Sequence, residues 1–196
     1  VMEVRRFFSH PNFVAIVSQD VVGVLGAKDV DFPREVKEII LKTKVRGKSR
    51  TTGRIALRVQ PSDSQAAMQV RFVGQANSKT VGYNGPVQIS SEGVTELESR
   101  SMVSLTKEGL RAGPAETKAS AKNDVKDVKA RKGGLLGGLV SEETITRTAW
   151  KRIRANTKES EQIVSRRAEV RINKWLEIEV AGWLDVANSV YLNYVR

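Results

Sequence analysis

"KTKVRGKSRTTGRIALRVQ", residues 42–60, decides how the chain is read, because its side chains alternate with a period of two. Basic residues stand at Lys42, Lys44, Arg46, Lys48 and Arg50 and again at Arg54, after which Ile55, Leu57 and Val59 alternate with Arg58 and Gln60. Successive strand side chains point to opposite faces, so this is the pattern of a strand with one face on a core. The cations from Lys42 to Arg50 then form a row roughly 26 Å long. The other face carries Leu41, Thr43, Val45, Gly47, Ser49 and Thr51, small enough to lie over a helix or a ligand with little bulk between them.

Working outward, the period of two persists to about Leu110. "PSDS" supplies turn residues, and Met68, Val70 and Phe72 alternate with Gln69 and Arg71. "TVGYNGPVQI" reads as a strand interrupted at Gly82, Gly85 and Pro86, by a bulge, a bend or an edge position. "SSEG" is expected to close the next hairpin, and "VTELESRSMVSL" to form a further strand before the turn at "TKEG". An antiparallel meander of four to five strands is the simplest topology.

Before this region, "NFVAIV" reads as a short strand, and "SQDVVGVLG" as a helix capped by Ser18 or Asp20. "PREVKEIILK" reads as a second helix, with Pro33 suited to a first turn. Residues 112–134 are small, polar and charged and read as a charged, Gly-rich linker with one short helix at "KNDVKDVKA". Beyond it, Ser141 caps "EETITRTAWKRIR", and Asn156 or Thr157, with Glu159 at capping-box spacing, begins a long amphipathic helix. Its apolar face is Val164, Ala168, Ile172, Trp175, Trp183, Val186, Val190 and Tyr194. Glu179 interrupts that face, either as a buried acid with a basic partner or as a step onto a less covered turn. The expected fold class is therefore α+β: a twisted antiparallel sheet with N-terminal helical elements (1–111), a linker (112–134), and a C-terminal pair of helices (135–196) packing on the sheet or a partner.

Composition bounds the function. The chain has 196 residues, 40% hydrophobic and 28% charged, and 33 Lys and Arg against 22 Asp and Glu give +11. Such an excess favours polyanionic partners: nucleic acid, anionic lipid or acidic polysaccharide. The absence of cysteine removes disulfides, thiolate metal sites and cysteine nucleophiles, and leaves the compartment open. The apolar runs "FVAIV" and "VVGVLGA" fall short of the roughly 20 residues of a membrane-spanning helix.

Catalysis finds little support. His10, in "SHPNF", is the sole histidine, too few for a histidine metal site, and a histidine triad there has no partner pattern. "KGGLLGGLV" lacks the Lys-Ser/Thr ending of a phosphate-binding loop, and reads as a hinge or as an apolar contact through Leu135, Leu136, Leu139 and Val140. No catalytic residue, cofactor or metal is expected. The row Lys42, Lys44, Arg46, Lys48, Arg50 and Arg54 is the candidate ligand-binding site, with two readings. It is either a solvated, edge-protecting strand face or an anion-binding surface. The absence of Asp and Glu between residues 39 and 62 favours the second, since wet strands mix signs. A second stripe, Arg147, Lys151, Arg154 and Lys158, shares one helix face.

On "RTTGR", "NSKTVGYNGPVQISSEG" and "SEQIVSRRAEVRI", in this order, the chain resembles an uncharacterised family of exported proteins of planctomycete-type bacteria. The resemblance runs from about Asn12 to the C-terminus and implies an envelope location, with no site residues to carry across. A signal peptide of that family is missing from "VMEVRRFFSHPNF", as in a mature fragment. The order of elements is also similar to tubular lipid-binding domains, in which a sheet wraps a helix and leaves an apolar tunnel. Gly47, Gly53, Gly74, Gly82 and Gly85 would permit the curvature. Ile55, Leu57, Met68, Val70 and Phe72 are then core or tunnel wall. The function read from the sequence is a non-enzymatic binding or scaffold protein of the bacterial envelope, contacting an anionic or amphipathic ligand through the basic face. The alternative is a nucleic-acid-binding protein using phosphate contacts. A homo-oligomer through the C-terminal helix is a further expectation.

Overall fold

Alternation extends through β2 (Thr43–Gln60) and β3 (Ala67–Asn84), which pair antiparallel from Lys44↔Tyr83 to Gln60↔Ala67. In the computed structural model, which describes residues 18–20, 22, 26–61, 66–106, 108–131 and 141–194, these two lie within a six-stranded antiparallel sheet. β1 (Lys28–Ile40) flanks β2, and β4 (Val87–Thr106) flanks β3. β5 (Gly109–Ala112) and β6 (Glu116–Ala130) lie end to end along β4, pairing with Val103–Thr106 and Val87–Arg100 respectively. The sheet curls into a half-barrel, and a single helix, α1 (Glu142–Tyr194), lies along its open side.

Several expectations are corrected. "PREVKEIILK" is the second half of β1, not a helix. Val36, Ile39 and Ile40 have helical spacing, but thirteen residue pairs to β2 outweigh local preference, and Arg34, Val36, Glu38 and Ile40 alternate inward. Pro33 is tolerated because β1 is an edge strand. Among the described residues the expected N-terminal helical elements are not found as a layer on the sheet; of "SQDVVGVLG", only Gln19, Asp20 and Val22 are described as helical and the remainder is largely outside the described residues. "NFVAIV", His10 and "KGGLLGGLV" lie outside them altogether. "SSEG" is interior to β4, and the turn lies instead at Gly85 and Pro86, where Gly85 has a φ of 55°.

The expected linker and its short helix are strand β6 over residues 116–130. Its inward side chains, Thr117, Ala119 and Ala121, are too small to print an apolar alternation on the sequence. The pair of C-terminal helices is one helix of 53 residues, about 80 Å long. Ser141 caps it, Oγ accepting from Thr144 N at 3.3 Å. The expected second cap fails: the Thr157 hydroxyl donates to Ile153 O one turn back, a bond that leaves the helix intact.

The core fills one half of the curl. Val30, Ile55, Val70, Phe72, Leu97 and Val103 meet Ala168, Ile172, Leu176 and Val180 of α1. Trp175 lies with ring centroids 5.1 Å from Phe72, edge to face, and 5.5 Å from Phe32. Ile55 and Phe72 are completely buried, each contributing about 1.5–3 kcal/mol. They are core, not tunnel wall. The apolar face of α1 passes through Leu176 and Val180, whereas Val186 and Val190 are exposed. The cross-strand pair Gly53↔Gly74 has no room for side chains: a Cβ on Gly53 would meet Gly74 Cα at 2.7 Å and the Phe72 ring at 2.7 Å.

The helix covers the bare edge of β6 through a ladder. Ala115 N, Ala119 N, Ala121 N and Asn123 N donate to Glu177 Oε1, Glu169 Oε1, Ser165 Oγ and Glu161 Oε1 at 3.0, 3.2, 3.0 and 3.0 Å. Thr117 Oγ1 lies 2.5 Å from Asn173 Oδ1, which completes the four-residue spacing 161, 165, 169, 173, 177. The match is geometric: four helical residues rise about 6.0 Å, and two strand residues about 6.6 Å. Edge N–H groups that would otherwise template another chain are thereby satisfied.

Candidate functional site

From Ser49 towards the hairpin tips the inward residues of the sheet shrink. Ser49, Ala76, Ser78, Thr80, Ser91 and Gly93 occupy positions that bulky side chains hold in the packed half. The N-terminal half of α1 runs above them, offering Ile145, Ala149, Ile153 and Val164. Between sheet and helix lies a groove of about 530 Å³, within the range of small-molecule sites. Its walls are mixed, with Val36, Ile40, Val45, Val87 and Ile89 among hydroxyls. Many of those hydroxyls are already bonded: Thr80 Oγ1 lies 2.9 Å from Ser91 Oγ, and Ser78 Oγ donates to Gly93 O at 3.3 Å. Other polar groups remain along the lining, among them Lys122, Arg152 and Asn156.

Groove and tips meet at the β1–β2 turn. Leu41, which lines the groove, and Lys42 have φ of 46° and 65°, a two-residue turn built from residues that seldom enter the left-handed region.

The seam between β1 and α1 gathers several charges at one carboxylate. Glu38 Oε1 accepts from Arg34 Nη2 at 2.7 Å and from Arg171 Nη1 at 2.9 Å, while Oε2 accepts from Arg167 Nη1 at 3.0 Å. Arg167 also donates to Ile39 O at 2.9 Å, satisfying part of the β1 edge. Burial pushes the Glu38 carboxyl up, but hydrogen bonds from Arg34 and Arg167 and the field of Arg171 hold it below its ordinary value. Burial, followed by the neighbouring Arg34, lowers Arg171 against the pull of Glu38. Three cations share one carboxylate, so the cluster carries an excess of positive charge at the wall of the groove. Farther along the same seam Lys28 Nζ donates to Glu179 Oε2 at 2.8 Å, giving Glu179 its basic partner on a half-covered turn.

The basic row sits on the opposite, convex face. Lys42, Lys44, Arg46, Lys48, Arg50 and Arg54 are all exposed, while Thr43, Val45 and Ser49 between them line the groove. Much of the row is opposed by acids of β1, Asp29, Asp31 and Glu35, of which only Glu35 falls in the segment expected to be helical. Arg50 Nε donates to Asp31 Oδ1 at 2.7 Å, and that bond leads in holding Asp31 below its usual range. Arg54 and Lys48 stand across from Asp29 and Glu35. Only the tip end, Lys42, Lys44 and Arg46, lacks an acid opposite: Arg46 faces Lys37 and Val81, and Lys44 faces Ile39 and Tyr83. The helix stripe Arg147, Lys151, Arg154 and Lys158 is exposed, away from the sheet.

Arg34, Glu38, Arg167 and Arg171 were not candidates in the sequence. Their only local signal is a pair of four-residue spacings, 34/38 and 167/171, of which the first becomes a same-face pair on a strand. Among the described residues no group of His, Asp and Glu is arranged to hold a metal ion, and no helix is long and apolar enough to cross a membrane. No family model, no curated protein and no solved structure matches the chain.

Proposed function

We propose that the protein is a non-enzymatic binding protein that holds an amphipathic ligand in the groove between the curled sheet and the first half of α1. The observation that supports this is the roughly 530 Å³ groove created by small inward residues along one half of a sheet whose other half is tightly packed. Native mass spectrometry of the purified chain tests it. Co-purifying mass that survives gentle desalting and leaves on denaturation is expected. A clean mass together with no uptake of added single-chain amphiphiles overturns it.

A second reading concerns the convex tip, where Lys42, Lys44 and Arg46 gather without an opposing acid and exposed Ile39 stands beside them. This end meets an anionic surface or the phosphates of a nucleic acid. Binding through phosphates falls with salt with a log–log slope of roughly 0.9 per phosphate neutralised on a duplex. Changing Lys44, Arg46 and Lys48 together to Glu abolishes such binding; unchanged binding returns the row to a solvated face. An envelope location rests on the resemblance described above. A signal peptide in the precursor supports it, and a cytoplasmic start removes it.

A further inference from the structure

The charge cluster at the seam has more donors than its carboxylate uses. Arg34 and Arg171 each place one N–H on Glu38, and both side chains also line the groove. A guanidinium carries several further N–H donors in a planar fork suited to carboxylate or phosphate oxygens. The side chains of Arg34, Arg167 and Arg171 are 35, 41 and 37% exposed and that of Glu38 13%, so the acid is more enclosed than its partners, of which Arg34 and Arg171 line the groove. One carboxylate against three guanidiniums leaves the site short of negative charge. By contrast, Arg50–Asp31 and Arg100–Glu116 are one-to-one pairs, and Glu92 is shared by two lysines, Lys79 and Lys126, of which the second also pairs with Asp124.

We propose that Arg34 and Arg171 form an oxyanion subsite of the groove, taking the carboxylate or phosphate-monoester head of a single-chain amphiphile whose tail lies along Val45, Ile89 and Ile153. This rests on the groove being a ligand site. Glu38 is the resident counter-ion that holds the guanidiniums in place when the groove is empty, and it competes with an incoming head. Two consequences follow, with opposite signs. Removing an arginine weakens binding of an anionic amphiphile and spares its neutral counterpart. Removing the charge of Glu38 strengthens anion binding.

The test uses the full chain with octadecanoate, octadecyl phosphate and octadecanol, each titrated by displacement of a fluorescent alkyl probe. Wild type is expected to bind both anions at least about tenfold more tightly than the alcohol, the equivalent of one charge-assisted bond. The ratio between the two anions identifies which head the fork prefers. Arg34→Gln and Arg171→Gln are expected to erase that preference with alcohol binding unchanged, and Glu38→Gln to raise anion affinity severalfold. Equal weakening for alcohol and anions, or no change, overturns the subsite while leaving the groove a ligand site. Binding of none of the three by wild type overturns the groove and the subsite together. Should an arginine variant fail to fold, the wild-type preference and Arg171→Lys decide the matter: the subsite requires Lys to keep part of the preference, and its full loss or full retention counts against the fork.

Discussion

The two halves of the same sheet differ in what they turn inward. Around Ile55, Phe72 and Leu97 the curl is closed on Trp175 and Leu176, whereas six to eight residues farther along the same strands Ser49, Ser78, Thr80 and Ser91 leave space beneath the helix. Strand pairing is continuous across both, from Lys44↔Tyr83 to Gln60↔Ala67. Backbone architecture and interior filling are thus separable: the packed half holds the curl, and its rigidity lets the other half remain open without collapsing.

The largest expected effect breaks the packed half. Phe72→Ala should cost about 3–5 kcal/mol in denaturant unfolding, because a completely buried ring that also contacts Trp175 is lost. A cost below 1 kcal/mol would mean that the core does not carry the fold. Next is the tip. Replacing Leu41–Lys42 by Asn–Gly should stabilise the chain by about 1–2 kcal/mol, since both positions have positive φ. No gain in thermal or denaturant midpoint would show that the turn relaxes at no cost.

A smaller effect is expected of acid on the seam. The Glu38 pKa is lower folded than unfolded, so its stabilisation is fully present above the unfolded value and is lost as pH falls through the folded one. The wild type should therefore lose more stability than Glu38→Gln on acidification below the ordinary carboxylate range, by an amount kept small because the three arginines are more than a third exposed. Identical pH profiles would mean that the bonds of Glu38 to the three arginines do not stabilise the seam. The smallest effect belongs to the open half: Thr80→Val should change stability by less than about 1 kcal/mol, as only its bond to Ser91 is lost. A change as large as that of Phe72→Ala would erase the distinction between the halves.

The sequence made part of this legible. Ile55, Leu57, Val70 and Phe72 alternate as a half-buried sheet must, and the small face opposite the lysines of β2 is the floor of the groove. β1 was misread because two of its inward residues, Arg34 and Glu38, are polar, which hides a period of two. Their partners Arg167 and Arg171 lie more than a hundred residues away, and no local pattern announces them. β6 does not show as a strand because its inward residues at 117, 119 and 121 are only Thr and Ala, and the larger Val125 and Val128 come after the alternation has been interrupted. The basic row looked unopposed since the acids that face it, Asp29, Asp31 and Glu35, are separated from it in sequence and meet it only through the hairpin.

The ladder joining α1 to β6 has a temporal side. A chain is synthesised from its N-terminus, and β6 precedes the helix that covers it. Until residues 161–177 have been added and docked, the sheet is complete but its last strand shows a row of bare amides to every neighbouring nascent chain. The interval between finishing the strand and seating the helix is the window in which this protein is most prone to self-association.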